Sequence, residues 1–255
     1  MTSPPGARLP ISVALITRNA ATQLGPCLDS VAFADDVVVV DSGSTDDTRT
    51  IAARHGARVI DKAWMGFGRQ KQFAVESARH DWVLCLDADE RVTPQLAESI
   101  GKAIAAPREY VYRMPRCNRF MGRWLRHGEG YPDWNTRFFH RAHARWSNDE
   151  VHEHVISTEA VGQLKGDLLH ESAESLASYL DKQNRYTSLQ ADALVRDGIN
   201  VSTLHLIGSP LVRFVKFYVV RLGFLDGVAG FVHIVIGCAN SFIKYAKAIA
   251  RQRGT

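Results

Sequence analysis

The chain has 255 residues, 45% hydrophobic and 23% charged, a globular composition that excludes a disordered or fibrous protein and leaves room for one large α/β domain with an appendage. The formal net charge of +4 is unevenly placed: seven basic residues and one acid, Asp226, lie between Asn200 and Thr255, so this tail is +6 and the remainder −2. A nucleic-acid binder spreads its basicity over a whole face, so this pattern argues against nucleic acid and for a body with a basic foot suited to a membrane surface.

Residues 1–9 are rich in Pro, Gly and Ser and are expected to be disordered. MTSPPGARLP has no apolar secretory segment, and Cys27, Cys85, Cys117 and Cys238 form no CxxC pair, which predicts a cytoplasmic protein with free thiols. ISVALIT (11–17) reads as a strand. Asn19–Val31 repeats apolar residues at helical spacing, and Val37–Val40 reads as a strand buried on both faces, as in a parallel sheet. A helix follows with Thr45 as N-cap and Gly56 at its end. ARVID (57–61) is a third strand, Lys71–Ala78 a helix and Trp82–Leu86 a fourth strand. Thr93 and Pro94 open a helix to about Ala105. Residues 110–170 are less regular, with strand-like VYRMP and TRFFH, and 172–198 are helical. This alternation predicts a doubly wound, Rossmann-like α/β fold, its sheet mostly parallel and flanked by helices.

In such sheets ligands bind beyond the carboxyl ends of the strands. Three of those ends carry chemistry: Thr17-Arg18-Asn19, Asp41-Ser42-Gly43-Ser44-Thr45-Asp46, and Asp87-Ala88-Asp89 in WVLCLDADE. Carboxylates at the end of an apolar strand are costly unless solvated, paired or holding a cation. Two of them this close suit Mg²⁺ or Mn²⁺, which bind through one or two carboxylates and substrate phosphates. The Gly/Ser-rich loop after Asp41 can approach a ligand closely, and a helix N-terminus follows it. Taken singly, a DxD is more often a solvated loop and the Asp41 segment a turn with a helix cap; their joint placement at strand ends favours a diphosphate site.

VDSGSTDDT followed by LDADE resembles the inverting nucleotide-sugar glycosyltransferases of family 2, with the GT-A fold. GFGRQKQFA, YPDWNTRFF, VHEHV, GFLDGVAGF and FIKYAK extend the resemblance to the lipopolysaccharide-core β-1,4-glucosyltransferase subgroup, over nearly the whole chain after residue 10. It implies a GT-A domain over 10–199, with a nucleotide-sugar half (10–109) and an acceptor half (110–199), and a helical membrane-interface region over 200–255. Thr17, Arg18 and Asn19 would line the base pocket, Asp41 would contact uracil or ribose, and Ser44, Arg69, Lys71, Asp87 and Ala88 would lie along the nucleotide sugar. Asp89 would be the more direct metal ligand beside Asp87, with His152 or His170 as a third. Gln72 stands where many members carry Asn. The implied reaction moves a hexose, glucose from UDP-glucose, to an inner-core heptose.

Inversion needs a base opposite the leaving diphosphate. The candidates are Asp133 in YPDWN and Asp149, Glu150 and Glu153 in SNDEVHEHV; Glu153 is favoured, with Asp133 next. Trp124, Tyr131 and Trp134 could stack on an acceptor sugar or simply pack. HEH lacks the spacing of a zinc helix.

PLVRFVKFYVVRL (210–222) gathers Arg213, Lys216 and Arg221 on one side of a helix, and Lys244, Lys247 and Arg251 form a second stripe. The apolar run Ile234–Ile236 is short of the ~20 residues a span needs, so the expected association is peripheral, on the cytoplasmic face of the inner membrane, next to a lipid-linked acceptor. Against this stand a phosphotransferase with a nucleophilic Asp, a non-catalytic nucleotide-sugar-binding membrane protein, and a transferase for another lipid or protein acceptor.

Overall fold

The computed structural model describes residues 8–149, 153–172 and 175–253. These fall into two compact units, one within Met1–Arg116 and Asp133–His170, the other within Cys117–Pro132 and Glu171–Thr255.

The first unit begins β1 (Leu9–Thr17), α1 (Ala21–Ser30), β2 (Ala34–Asp41), α2 (Thr48–Arg54), β3 (Arg58–Asp61), α3 (Phe67–Glu76) and β4 (Trp82–Asp87). It continues with β5 (Glu90–Val92), α4 (Pro94–Ala105) and β6 (Val111–Phe120), which enters the second unit at its end; β7 (Arg123–Trp124) belongs to that unit. After the return come β8 (Asp133–His140), β9 (Arg145–Trp146), β10 (Val155–Ile156), β11 (Val161–Gln163) and β12 (Leu168–His170). The main sheet runs β3-β2-β1-β4-β8-β6-β12-β5. Its first four strands are parallel, as expected, whereas β8 joins β4, and β6 joins β8, in antiparallel fashion, so the sheet is mixed.

The apolar runs of β1, β2 and β4 are continuous because both sheet faces are covered. Ile11, Val13, Leu15, Val39, Leu84 and Leu86 pack with Leu24, Cys27 and Leu28 of α1 and Leu96 and Ile100 of α4. Their neighbours in the pleat, Ala14, Val38, Val40, Val83 and Cys85, pack with Ala74 and Val75 of α3 and with Phe139 and Trp146. One polar knot lies among them. Buried Asp36 accepts from Ser12 Oγ (2.7 Å) and from Arg58 Nε (2.8 Å). Cys27, Cys85, Cys117 and Cys238 are all unbridged, as expected.

The second unit holds α5 (Leu176–Arg196), α6 (Thr203–Phe214), a π-helical turn Val215–Val220, a 3₁₀ turn Gly223–Asp226, and α7 (Gly227–Gln252). Its cations are largely engaged within the unit, which changes the expected basic stripes. Lys247 Nζ donates to Asn184, Thr187 and Ser188 of α5, and Arg251 pairs with Asp192 (3.2 Å). Arg213 pairs with Glu129, and Arg221 donates to the carbonyl of Tyr131 (2.7 Å). On α6 and the turn that follows it the unit exposes a run of apolar side chains: Leu204, Ile207, Leu211, Val212, Val215 and Val219 are all exposed. Thr203–Val220 and Gly223–Gln252 are, by length and composition alone, apolar enough to cross a membrane. The uninterrupted run Ile234–Ile236 understated this, because Asp226, which breaks the pattern in sequence, is buried and satisfied in the fold.

Candidate functional site

The sheet register sets the site. Thr17 stands opposite Asp41 and Ile16 opposite Asp87, in parallel strands, so the ends of β1, β2 and β4 share one edge.

At that edge the β1 and β2 loops are laced together. Asp41 is fully buried and accepts from Thr17 Oγ1 (3.1 Å), Gly43 N (3.2 Å), Ser44 N (2.8 Å) and Ser44 Oγ. Its carboxylate is therefore satisfied by its own chain and shapes the loop. Asn19 adopts a left-handed conformation (φ 52°), accepts from Thr45 N (2.8 Å) and donates its own N–H to Ser44 Oγ (2.8 Å). This explains why Thr45 does not cap α2: its backbone turns sideways to Asn19, and the helix begins three residues later behind Asp47. Arg18 at this edge is exposed.

The third strand end carries a chain of alternating charges. Lys71 Nζ lies 3.1 Å from Asp87 Oδ1 and 3.0 Å from Glu153 Oε1. Arg137 Nη2 lies 2.8 Å from Asp87 Oδ2 and 3.4 Å from Glu90 Oε1. Glu90, fully buried, also accepts from Asp87 N (3.0 Å) and faces Arg116 (3.5 Å), which in turn binds Asp133 (2.7 Å). The order is Asp133, Arg116, Glu90, Arg137, Asp87, Lys71, Glu153. Both favoured base candidates are thus joined to Asp87 through cations. Burial works against the charged form of Asp87, but the Arg137 guanidinium and the Lys71 ammonium outweigh it and hold the carboxyl below the usual carboxylate range. Burial likewise opposes the Arg137 charge, and Glu90 and Asp87 overcome it, so the guanidinium is more firmly protonated than usual. Trp146 lies under both cations, 4.8 Å from Lys71 Nζ and 5.5 Å from the Arg137 guanidinium.

Lys71 is buried because α3 begins at Phe67, four residues before the sequence suggests, and lies close to the segment after β9. A Cβ at Gly68 would sit 2.0 Å from the carbonyl oxygen of Ser147, so only glycine allows that approach. Ser147 N donates to the carbonyl of His154 (2.8 Å) and His154 N to Ser147 Oγ (3.2 Å), which holds Glu153 beside Lys71. Glu153 precedes β10 and is not in a strand. Gln72 accepts from Trp146 N (3.0 Å) and so buttresses the tryptophan. Arg69 is exposed on the first turn of α3.

Ala88 and Asp89 form the turn between β4 and β5. Asp89 Oδ2 lies 3.2 Å from His170 Nε2, at the end of β12. Among the described residues no three Asp, Glu, His or Cys side chains converge as a complete metal cage. His152 and Glu150 lie outside the described residues. Trp134, 40% exposed, lies 5.0 Å from the Arg113 guanidinium. The other aromatic candidates, Trp124 and Tyr131, belong to the second unit, where Trp124 faces Arg119 (5.7 Å).

Sequence reasoning did not single out Arg116, Arg137 or Glu90. A signal was present for two of them: Glu90 closes the motif WVLCLDADE, and Arg137 interrupts the apolar strand TRFFH, where a charge requires a partner.

The glycosyl transferase family 2 model matches residues 12–160. The lipopolysaccharide core biosynthesis glycosyltransferase LpsC of Rhizobium meliloti is 30% identical over 96% of this chain and 93% of its own. An uncharacterized glycosyltransferase of Rickettsia prowazekii is 31% identical over 93% of this chain and 86% of its own. Among solved structures, S. aureus TarS 1-349 in complex with UDP-GlcNAc is 14% identical, with a TM-score of 0.51 over 97% of this chain and 93% of that one, a likeness of GT-A-like fold. Since the family model covers more than half of the sequence and the curated relatives align along nearly all of it, the chain belongs to glycosyl transferase family 2 and is a transferase that uses a nucleotide sugar.

Proposed function

We propose that the protein transfers a hexose, glucose from UDP-glucose, to a heptose of the lipopolysaccharide inner core in a single inverting displacement. The observation that carries this reading is the alternating ion-pair chain at the end of β4: buried Lys71 lies between Asp87 and Glu153, and buried Arg137 leads from Asp87 through Glu90 and Arg116 to Asp133. The name of the Rhizobium relative, a lipopolysaccharide core glycosyltransferase, supports the acceptor class.

In this reading Thr17, Arg18, Asn19 and Ser44 receive the nucleoside, with Asp41 fixing the loop beneath them. Arg69 and Lys71 attract the diphosphate. Glu153 takes the proton of the acceptor hydroxyl, with Asp133 the second candidate. Lys71 holds Glu153 Oε1 as the protein stands; a diphosphate competing for that ammonium would release the carboxylate toward the acceptor hydroxyl. Trp134 offers a face to the acceptor sugar.

A divalent cation fits the donor set in one respect: Asp89 and His170 supply an oxygen and a nitrogen 3.2 Å apart, and a diphosphate would add further oxygens. Asp87 is the weaker ligand, since both its oxygens already face cations. Bound there, Mg²⁺ or Mn²⁺ would neutralise charge on the departing diphosphate. The same pairing makes Asp87 a poor nucleophile, against the phosphotransferase reading. The apolar surface of α6 and the adjoining π-helical turn supports peripheral association with the cytoplasmic face of the inner membrane, next to the acceptor.

The test is transfer itself. The full-length protein, UDP-glucose, Mn²⁺ and heptose-terminated core lipid are expected to yield UDP and a β-linked glucose by NMR. Transfer only from another nucleotide sugar would correct the donor, and an α-linked product would overturn inversion.

A further inference from the structure

Two large aromatic side chains of the first unit, Trp64 and Phe67, are 46% and 49% exposed at the start of α3. Their rings meet at right angles, with centroids 4.7 Å apart and an interplanar angle of 86°. Gly66, between them, holds φ 92° and ψ 155°, backbone that only glycine adopts without strain, and turns the chain from the end of β3 into α3. A dedicated turn thus presents the pair to solvent.

Its position gives the pair a meaning. Phe67 and Lys71 are four residues apart on α3 and so share a face, about 6 Å apart along the axis. Lys71 is the buried ammonium between Asp87 and Glu153. The aromatic corner therefore stands one helical turn outside the favoured base. Carboxylates border it. Exposed Asp61 closes β3 three residues before Trp64. The carbonyl oxygen of Asp149, whose carboxylate is also exposed, lies 3.3 Å from where a Cβ of Gly68 would stand.

We infer that Trp64 and Phe67 form an aromatic platform for a sugar ring of the acceptor glycan. A pyranose has C–H faces that pack on aromatic rings and a rim of hydroxyls that donate to carboxylates, and ligand sites combine apolar surface with a few orienting polar groups. A flat base fits less well, since two rings at right angles make a corner rather than a slot. In the proposed function the nucleoside lies at the loops of β1 and β2. A bilayer fits less well too, because its anionic surface repels carboxylates. The inference rests on the proposed function and deepens it: the acceptor is recognised by ring stacking beside the base as well as by its reacting hydroxyl.

The test is steady-state transfer by the full-length protein from UDP-glucose to a heptose-terminated core oligosaccharide freed of its lipid. Trp64→Ala with Phe67→Ala should raise the KM for the oligosaccharide about tenfold, while calorimetry finds UDP-glucose bound as tightly as by wild type. Phe67→Leu keeps apolar bulk without a ring face and should still raise that KM about threefold, and Phe67→Tyr should recover most of the affinity. An unchanged KM in the folded double variant would overturn the inference. So would an equal loss of UDP-glucose affinity, which would mark a donor contact, or a defect seen only with the acceptor in vesicles, which would mark a membrane contact. Failure of wild type to use either the oligosaccharide or the intact core lipid, despite binding UDP-glucose, would overturn the proposed acceptor and this inference together, so the two failures are distinguishable.

Discussion

The residue that organises the candidate site is Glu90. It is fully buried and meets Arg137, Arg116 and the N–H of Asp87, so it ties the DxD turn to two strands. Glu90→Gln would leave two cations short of charge in a water-poor setting, and removal of one member of a buried ion network costs about 3–5 kcal/mol. Urea unfolding should show that loss, and Glu90→Asp should recover part of it. Asp36 provides a pH test away from the site. Burial would raise its carboxyl, but hydrogen bonds from Arg58 and Ser12 hold it below the ordinary 3.8. Its stabilisation is therefore full above pH 3.8 and fades as pH falls through the lower folded value. Asp36→Asn should be less stable than wild type by about 1–3 kcal/mol at pH 7, and the two melting curves should converge in acid. A constant gap across that range would contradict this assignment.

At the scale of elements, α3 delivers Lys71 and depends on Gly68. Gly68→Ala would force a Cβ against the Ser147 carbonyl, at 2.0 Å, and so displace α3 or the segment carrying Glu153. Overpacking of this kind costs about 1–3 kcal/mol, and donor affinity should fall along with the melting temperature. A variant that melts lower but binds the donor normally would show that α3 does not set Lys71. The strands and α4 were legible because burial on both sheet faces writes a continuous apolar run and because Thr93 and Pro94 mark a helix start. The beginning of α3 was not, since glycine disfavours a helix locally and the contact that demands it lies 79 positions away, at Ser147. The cap pattern at Thr45 misleads because the sideways bond from its N–H to Asn19 crosses between two loops and leaves no local trace. The motif carboxylates could be found from strand ends alone, while the partners that hold them, Arg137 and Arg116, come from antiparallel strands that carry no such signature.

For the whole molecule, the charge asymmetry of the sequence carries a different meaning in three dimensions. Arg213, Lys247 and Arg251 meet partners far along the chain, at Glu129, Asn184 and Asp192, and so the tail is a helical unit held by its own cations, with apolar side chains exposed along α6 and the turn after it. Membrane affinity should therefore respond more to Leu211→Ser with Val215→Ser than to Lys247→Gln, which should instead lower the melting temperature. Liposome flotation and thermal melting, run together, separate the two effects. Chelation of divalent ions should abolish transfer, with Mn²⁺ or Mg²⁺ restoring it; undiminished transfer in excess chelator would remove the cation from the proposed function.

The most direct measurement is calorimetric binding of a panel of UDP-sugars, with and without Mn²⁺, to wild type and to Asp89→Ala. The account predicts binding of one UDP-hexose that depends on the cation and is lost in the variant while the fold persists. Binding unchanged in Asp89→Ala, or no nucleotide sugar bound by folded wild-type protein with the acceptor present, would contradict the placement of the donor at the ends of β1, β2 and β4.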